Sequence, residues 1–258
     1  MEESKKIYII SEAKSYLENP SKINKLGVFE GSSSRLMLSS IIGGIDDDPF
    51  FLNYSQTILT TIFSNLEKKE IKDFSFGYGL SGFAWTIDYL IKEGCLAPEQ
   101  VDQSTLDNIV RASFNHHQIN LDFLTGDLSL ITYFLDRPTF QPEIEKIVNY
   151  LITIAKNKSY PIFTSPYRNK KNKFENAQYY GIAHGFGGLI IILSKIKKKG
   201  IKEKECVHLI DTIFKHLMSV KEKGIFPLFS TKKVTNWEER FSWCHGNFRK
   251  PSISKSWY

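Results

Sequence analysis

This 258-residue chain lacks any long apolar run. Its longest, Leu189 to Leu193, falls far short of the ~20 residues that a bilayer-spanning helix needs, so no membrane span is expected. The opening Met1-Glu2-Glu3-Ser4-Lys5-Lys6 has no apolar stretch of the kind that a secretory signal carries, and a cytoplasmic location is expected. Cysteine is scarce: Cys95, Cys206 and Cys244 are odd in number and widely spaced. That argues against a disulfide framework and leaves the thiols as core, metal ligand or nucleophile. Strand-type alternation is scarce too. The net charge of +6 comes with no nucleic-acid-binding motif, so nucleic acid is not expected as a partner.

What the chain does have is helical periodicity interrupted by glycine turns. Ile7, Ile10, Ala13, Tyr16 and Leu17 recur at helical spacing, and a second such pattern follows from Leu36. Ser32 to Ser34 are placed to cap that second helix, and Gly43-Gly44 to end it. Further helical stretches run from Phe51 to Lys68, through Leu90, through Phe114, and from Ile144 to Ile154, with a final pair at 185–198 and 203–221. A polar excursion from Ser159 to Gln178 is read as a substrate-side loop or a partly disordered segment. Basic clusters at 168–173 and 195–204 read as solvated faces or as a docking surface for an acidic peptide.

The turn glycines Gly31, Gly79, Gly126, Gly185 and Gly246 stand at gaps of 48, 47, 59 and 61 residues. In the first four, a small residue follows three positions later: Ser34, Gly82, Ser129 and Gly188. This is an internal repeat of one turn plus two helices. A lone helical pair cannot bury its apolar face, so such repeats stack into a solenoid or a closed ring, and the expected class is all-α. In a ring, equivalent turns fall at one end, where side chains from different repeats can meet. His184 lies in the fourth turn among small residues, at the mouth of an apolar helix.

The ordered set Gly79-Leu80-Ser81-Gly82-Phe83-Ala84-Trp85, Asp122-Phe123-Leu124-Thr125-Gly126, Gly181-Ile182-Ala183-His184-Gly185-Phe186-Gly187-Gly188 and Arg240-Phe241-Ser242-Trp243-Cys244-His245-Gly246 resembles the lanthionine synthetase C-like family. The resemblance implies an α/α toroid, a double-layer barrel of repeated helix pairs. It also implies zinc-assisted addition of a peptide cysteine thiol to a dehydrated serine or threonine, closing a thioether ring. By the same resemblance, Cys244 looks like the first zinc ligand and His184 looks like the acid/base; His245 stands at a position that is usually aromatic in the family and, being adjacent to Cys244, offers at most a second donor. Asp122 and Arg240 look like two further active-site positions. A thiol bound to zinc is held as thiolate, and an imidazole titrating near neutrality suits protonation of the carbanion formed after attack. Asp122 is equally placed to cap the helix after Gly126, and Arg240 to pair with Glu238 or Glu239. The implied partners are a precursor peptide with dehydrated Ser or Thr and a dehydratase.

The chain departs from that pattern after Asn247. A second Cys-His-Gly motif is absent, and Pro251 stands where a helix should run. Residues 1–247 are therefore read as a partial toroid incomplete at its C-terminus, and 248–258 as an irregular tail. Zinc binding and cyclase activity are expected to be weak or absent. Two other readings stand beside the cyclase. One is a non-catalytic protein that binds a peptide or glutathione. The other is an α/α-toroid glycosidase, for which Asp122 and Asp127 are the available carboxylates.

Overall fold

A computed structural model describes residues 2–18, 25–29, 31–68, 73–115, 119–157, 165–168, 174–231 and 235–237. The chain divides into two compact units, Met1–Gln118 and Ile119–Tyr258. Both are predominantly helical, as the periodicity predicts.

The first unit holds α1 (Glu2–Glu18), α2 (Ser32–Asp46), α3 (Pro49–Lys68), α4 (Leu80–Lys92) and α5 (Gln103–Asn115). Helices α2 and α3 form a closely packed hairpin, and α4 packs against α2 and α5. Leu36, Phe51, Ile62, Phe83, Ile87, Leu106, Val110 and Phe114 fill the interior at helical spacing. Helix α1 lays Ala13 and Leu17 against Phe51. Its end is held by buried Arg35, which donates from Nη1 to the Leu17 carbonyl (3.0 Å), while the Tyr54 hydroxyl donates to the same oxygen (2.9 Å). Those two donors satisfy a helix-end carbonyl that α1 itself cannot.

Two local expectations are corrected here. Gly43 and Gly44 lie inside α2, which runs on to Asp46; a Cβ on Gly43 would press on the Leu52 side chain at 2.9 Å, so the glycine serves the approach of α3. Nor does a serine cap α2. Gly31 is the cap residue, with no side-chain bond, whereas the Ser32 and Ser33 hydroxyls donate backward to the carbonyls of Lys25 and Leu26.

The second unit holds α6 (Leu130–Phe134), α7 (Gln141–Asn157), β1 (Ser165–Arg168), β2 (Phe174–Tyr179), α8 (Phe186–Lys198), α9 (Glu203–Val220), β3 (Phe229–Ser230) and β4 (Thr235–Asn236). Helices α8 and α9 pair, and α9 also meets α7. Their buried faces carry Ile144, Ile147, Leu151, Leu189, Ile192, Leu193, Leu209 and Ile213. Cys206 belongs to this core, as its helical spacing predicts, and burial pushes its thiol up to about 11. Cys95, in the first unit, is half-buried.

The polar excursion contains structure that its sequence hides. β1 and β2 pair antiparallel from Ser165↔Ala177 to Arg168↔Phe174, and β2 continues the sheet to β3 and then β4. Gln178 pairs with Ser230 and Tyr179 with Phe229. With the two-residue period of a strand, Tyr179 and Phe229 share one face of the sheet, and Gln178 and Ser230 share the other.

Candidate functional site

Each turn glycine among the described residues sits where a side chain has no room. A Cβ on Gly79 would collide with the Asp73 carbonyl, and one on Gly185 with the Tyr179 carbonyl. One on Gly126 would stand 2.5 Å from the Asn120 carbonyl oxygen. The reason for glycine is thus a backbone segment six residues back that folds against the helix mouth, with no need for a left-handed φ. Within the second unit, the turns ending at Gly126 and Gly185 are joined by the Leu124 amide donating to the Ala183 carbonyl (3.0 Å).

That backbone bond places residue 122 beside residue 184. His184 Nδ1 lies 2.8 Å from Asp122 Oδ2, although 62 residues separate them along the chain. Asp122 is buried; the His184 side chain keeps 19% exposure, so the ring is held on one side and reachable on the other. The other carboxylate oxygen of Asp122, Oδ1, accepts the amides of Leu124 (2.9 Å) and Thr125 (2.8 Å). Burial alone would push the Asp122 carboxyl up. The hydrogen bond and charge of His184, with the Thr125 donors, outweigh it and hold the group below the usual carboxylate value. An ionised Asp122 at Nδ1 fixes the neutral tautomer with its proton on that nitrogen and makes Nε2 the basic one, an assignment from hydrogen bonding.

Three neighbours support this pair: Asn120 and Tyr179, which sequence reasoning missed, and Asp127, which it singled out only for the glycosidase reading. The Asn120 side-chain oxygen accepts the Asp122 amide (3.1 Å), and buried Asp127 accepts the Asn120 amide at Oδ2 (2.6 Å). The Tyr179 ring lies 6.1 Å from the imidazole, and Phe229 lies 5.9 Å beyond it on the same sheet face. The signal for Asn120 and Asp127 was present as Asn-x-Asp before the glycine and Asp after it. Nothing in the sequence pointed to Tyr179, because its partner strand is two residues long.

Of the residues singled out from sequence, Asp122 and His184 are brought together. Asp122 does not cap the helix after Gly126, whose cap residue is Gly126 itself with no side-chain bond; it closes its own turn through the Leu124 and Thr125 amides and bonds the histidine. Asp127, the second carboxylate of the glycosidase reading, stands on the same turn and is engaged with the backbone, so the two acids do not face each other across a groove. Arg240, Cys244 and His245 lie outside the described residues. Among the described residues, no three His, Cys, Asp or Glu side chains group as a metal site. A thiolate and an imidazole, the donors offered by Cys244 and His245, are the chemistry that zinc takes, and they are two of the three protein ligands usual at a catalytic site.

The solved structure of nisin cyclase is similar, with a TM-score of 0.70 and 17% identity over 92% of this chain and 67% of that one. The likeness shows the fold, an α/α toroid. No curated protein matches the sequence. No helix among the described residues is long and apolar enough to cross a membrane. The family profile described as "Lanthionine synthetase C-like protein" matches residues 31–248, which takes in the glycines of all four described turns and begins after α1. With that span matched, and with the repeat geometry in place, the chain belongs to the lanthionine synthetase C-like family.

Proposed function

We propose, against the expectation of weak or absent activity that the missing second Cys-His-Gly motif raises, that this protein closes thioether rings in a precursor peptide by adding a cysteine thiol to a dehydrated serine or threonine. What supports the reading is the His184–Asp122 pair, held at 2.8 Å by two turns of a lanthionine synthetase C-like chain. In this reaction the thiol gives up one proton and the α carbon of the dehydro residue gains one. His184 carries that proton. Its Nε2 accepts it as the thiol becomes a thiolate and returns it to the carbanion that forms when the sulfur attacks the β carbon, while Asp122 stabilises the imidazolium between the two steps. Arg240 is assigned to the enolate oxygen. Held by Cys244 and His245, zinc would supply the Lewis acid that keeps the substrate sulfur a thiolate. A dehydratase is the partner that makes the substrate.

The test uses a synthetic peptide carrying one dehydroalanine and one free cysteine. Ring closure leaves the mass unchanged and removes the thiol, so alkylation followed by mass spectrometry reads it directly. Thiol loss well above the spontaneous rate is expected with the wild-type protein and is expected to vanish in His184→Ala. Loss at the spontaneous rate in both would overturn the proposal. Zinc-to-protein ratios of wild type and Cys244→Ala read the ligand assignment separately, and zinc retained in the variant would count against it.

A further inference from the structure

The sheet that brings Tyr179 and Phe229 to His184 has a second face, and the proposed chemistry does not use it. Behind it lies a cavity of about 580 Å³, walled by Gln178, Tyr180, Ser230 and Thr235 from the sheet side and by His216 and Ser219 from α9. Pro227 and Trp237 line its edge, with Lys221 and Glu222. The volume falls in the ~300–1,000 Å³ range of ligand sites, enough for a few residues of chain.

Its lining is chemically distinct. Gln178, Ser230 and Thr235 form a row across three strands, since Gln178 pairs with Ser230 and Ser230 with Thr235. The Tyr180 hydroxyl meets the Ser230 hydroxyl at 2.8 Å, and the Tyr180 ring is backed by His216 at 6.2 Å and Phe186 at 5.7 Å. These groups both donate and accept hydrogen bonds without carrying charge. Burial pulls His216 below its ordinary value, which keeps it neutral near pH 7. The two charged residues, Lys221 and Glu222, cancel. Such a wall gives no net attraction to phosphate or carboxylate ligands and suits amide and hydroxyl groups. The Trp237 indole, with 36% exposure, offers a flat apolar contact at the edge.

We propose that this pocket is a second peptide-binding site: it holds a short, uncharged, Ser/Thr/Asn-type stretch of chain with one apolar side chain against Trp237. The inference rests on the reading that the substrate is a peptide, and adds where a part remote from the reacting cysteine is gripped. Binding energy gathered away from the reacting atoms is a recognised way to position a flexible substrate.

The test is peptide display against the full chain, with counter-selection on Ser230→Arg, whose side chain would project into the pocket and bring a charge to its wall. The expected result is an uncharged peptide that binds wild type at least tenfold more tightly than either Ser230→Arg or Trp237→Ala. The same peptide should bind His184→Ala as tightly as wild type. Thr235→Arg, on the last strand of the sheet, repeats the test if Ser230→Arg fails to fold, and thermal midpoints report folding of each variant. Selection of charged peptides only, or of peptides that none of these variants weakens, would overturn the proposal. Selective binding with no ring closure would remove the cyclase reading and leave the pocket standing. Ring closure with no pocket-dependent peptide would do the reverse.

Discussion

The turns that end at Gly79 and Gly126 are built to one plan, yet they do different things. In the first, the Asp73 carboxylate accepts the Ser75 amide (2.9 Å), and the Ser75 hydroxyl accepts the Tyr78 amide (3.2 Å). In the second, the Asn120 amide oxygen accepts the Asp122 amide, and the Asp122 carboxylate accepts the Thr125 amide. Counted back from the glycine, Ser75 and Asp122 hold the same place and close the same turn. The carboxylate simply has one oxygen more, and that oxygen reaches His184. Chemistry here needs no new backbone: it needs a second acceptor on a side chain that the turn already required. The partner position differs as well. In the first unit Phe29 donates to the Gly77 carbonyl as Leu124 does to Ala183 in the second, but two further bonds, Leu26 to Tyr78 and Val28 to Phe76, draw the two turn segments together around Gly27. A Cβ there would collide with the Tyr78 amide nitrogen, at the place that corresponds to Asp122.

Breaking the pair on the histidine side should have the largest effect. His184→Ala is expected to lower the rate of ring closure about 10²–10⁴-fold in the thiol-loss assay, the usual worth of a positioned acid/base, with little change in the unfolding midpoint. Asp122→Ser comes next, because it installs in the second unit the residue that the first one uses. The turn should still form, the rate should fall about 10²-fold, and stability at pH 7 should drop by about 1–3 kcal/mol for the lost charged hydrogen bond. The pH dependence sharpens this. Asp122 titrates lower folded than its ~3.9 unfolded value, so its contribution is complete above that value and is lost as pH falls through the folded one. Urea midpoints should therefore decline more steeply below about pH 4 in wild type than in Asp122→Ser.

Gly27→Ala tests the tighter corner and should cost about 1–3 kcal/mol by denaturant unfolding, since backbone and not a flexible side chain stands in the way. The smallest effect expected is also the most diagnostic. Ser75→Asp puts a second carboxylate beside Asp73, which already lies 2.6 Å from the Ser75 hydroxyl, and should destabilise by about 1–2 kcal/mol. Asp73→Asn should restore most of that loss, because the pair then matches Asn120 and Asp122. A double-mutant cycle showing no coupling between the two changes would mean that the two turns are not built alike.

Much of this was legible in the sequence. The glycine spacing and the helical periodicity gave the repeat, and with it the paired turns, because each depends on local rules that a single chain displays. His184 and Asp122 were recognisable as candidates, but their contact was not, since it follows from backbone bonding between turns 62 residues apart. The serines that open α2 misled for a related reason: their hydroxyls bond the preceding segment, and a local capping rule does not see it. The sheet was hidden because β3 and β4 are two residues each, too short for alternation to register. Tyr179 and the polar pocket behind the sheet were hidden with it.

One consequence concerns the order in which the molecule matures. The ring that flanks His184 belongs to Tyr179, and the residue that clasps that ring, Phe229, emerges from synthesis only after α8 and α9. Closing so long an excursion costs more chain entropy than forming the intervening helical hairpin, so the hairpin is expected to appear first and the clasp last. Pulse-labelled amide exchange during refolding should then show α8 and α9 protected before β2 and β3. Simultaneous protection would mean that the histidine's surroundings are set from the outset.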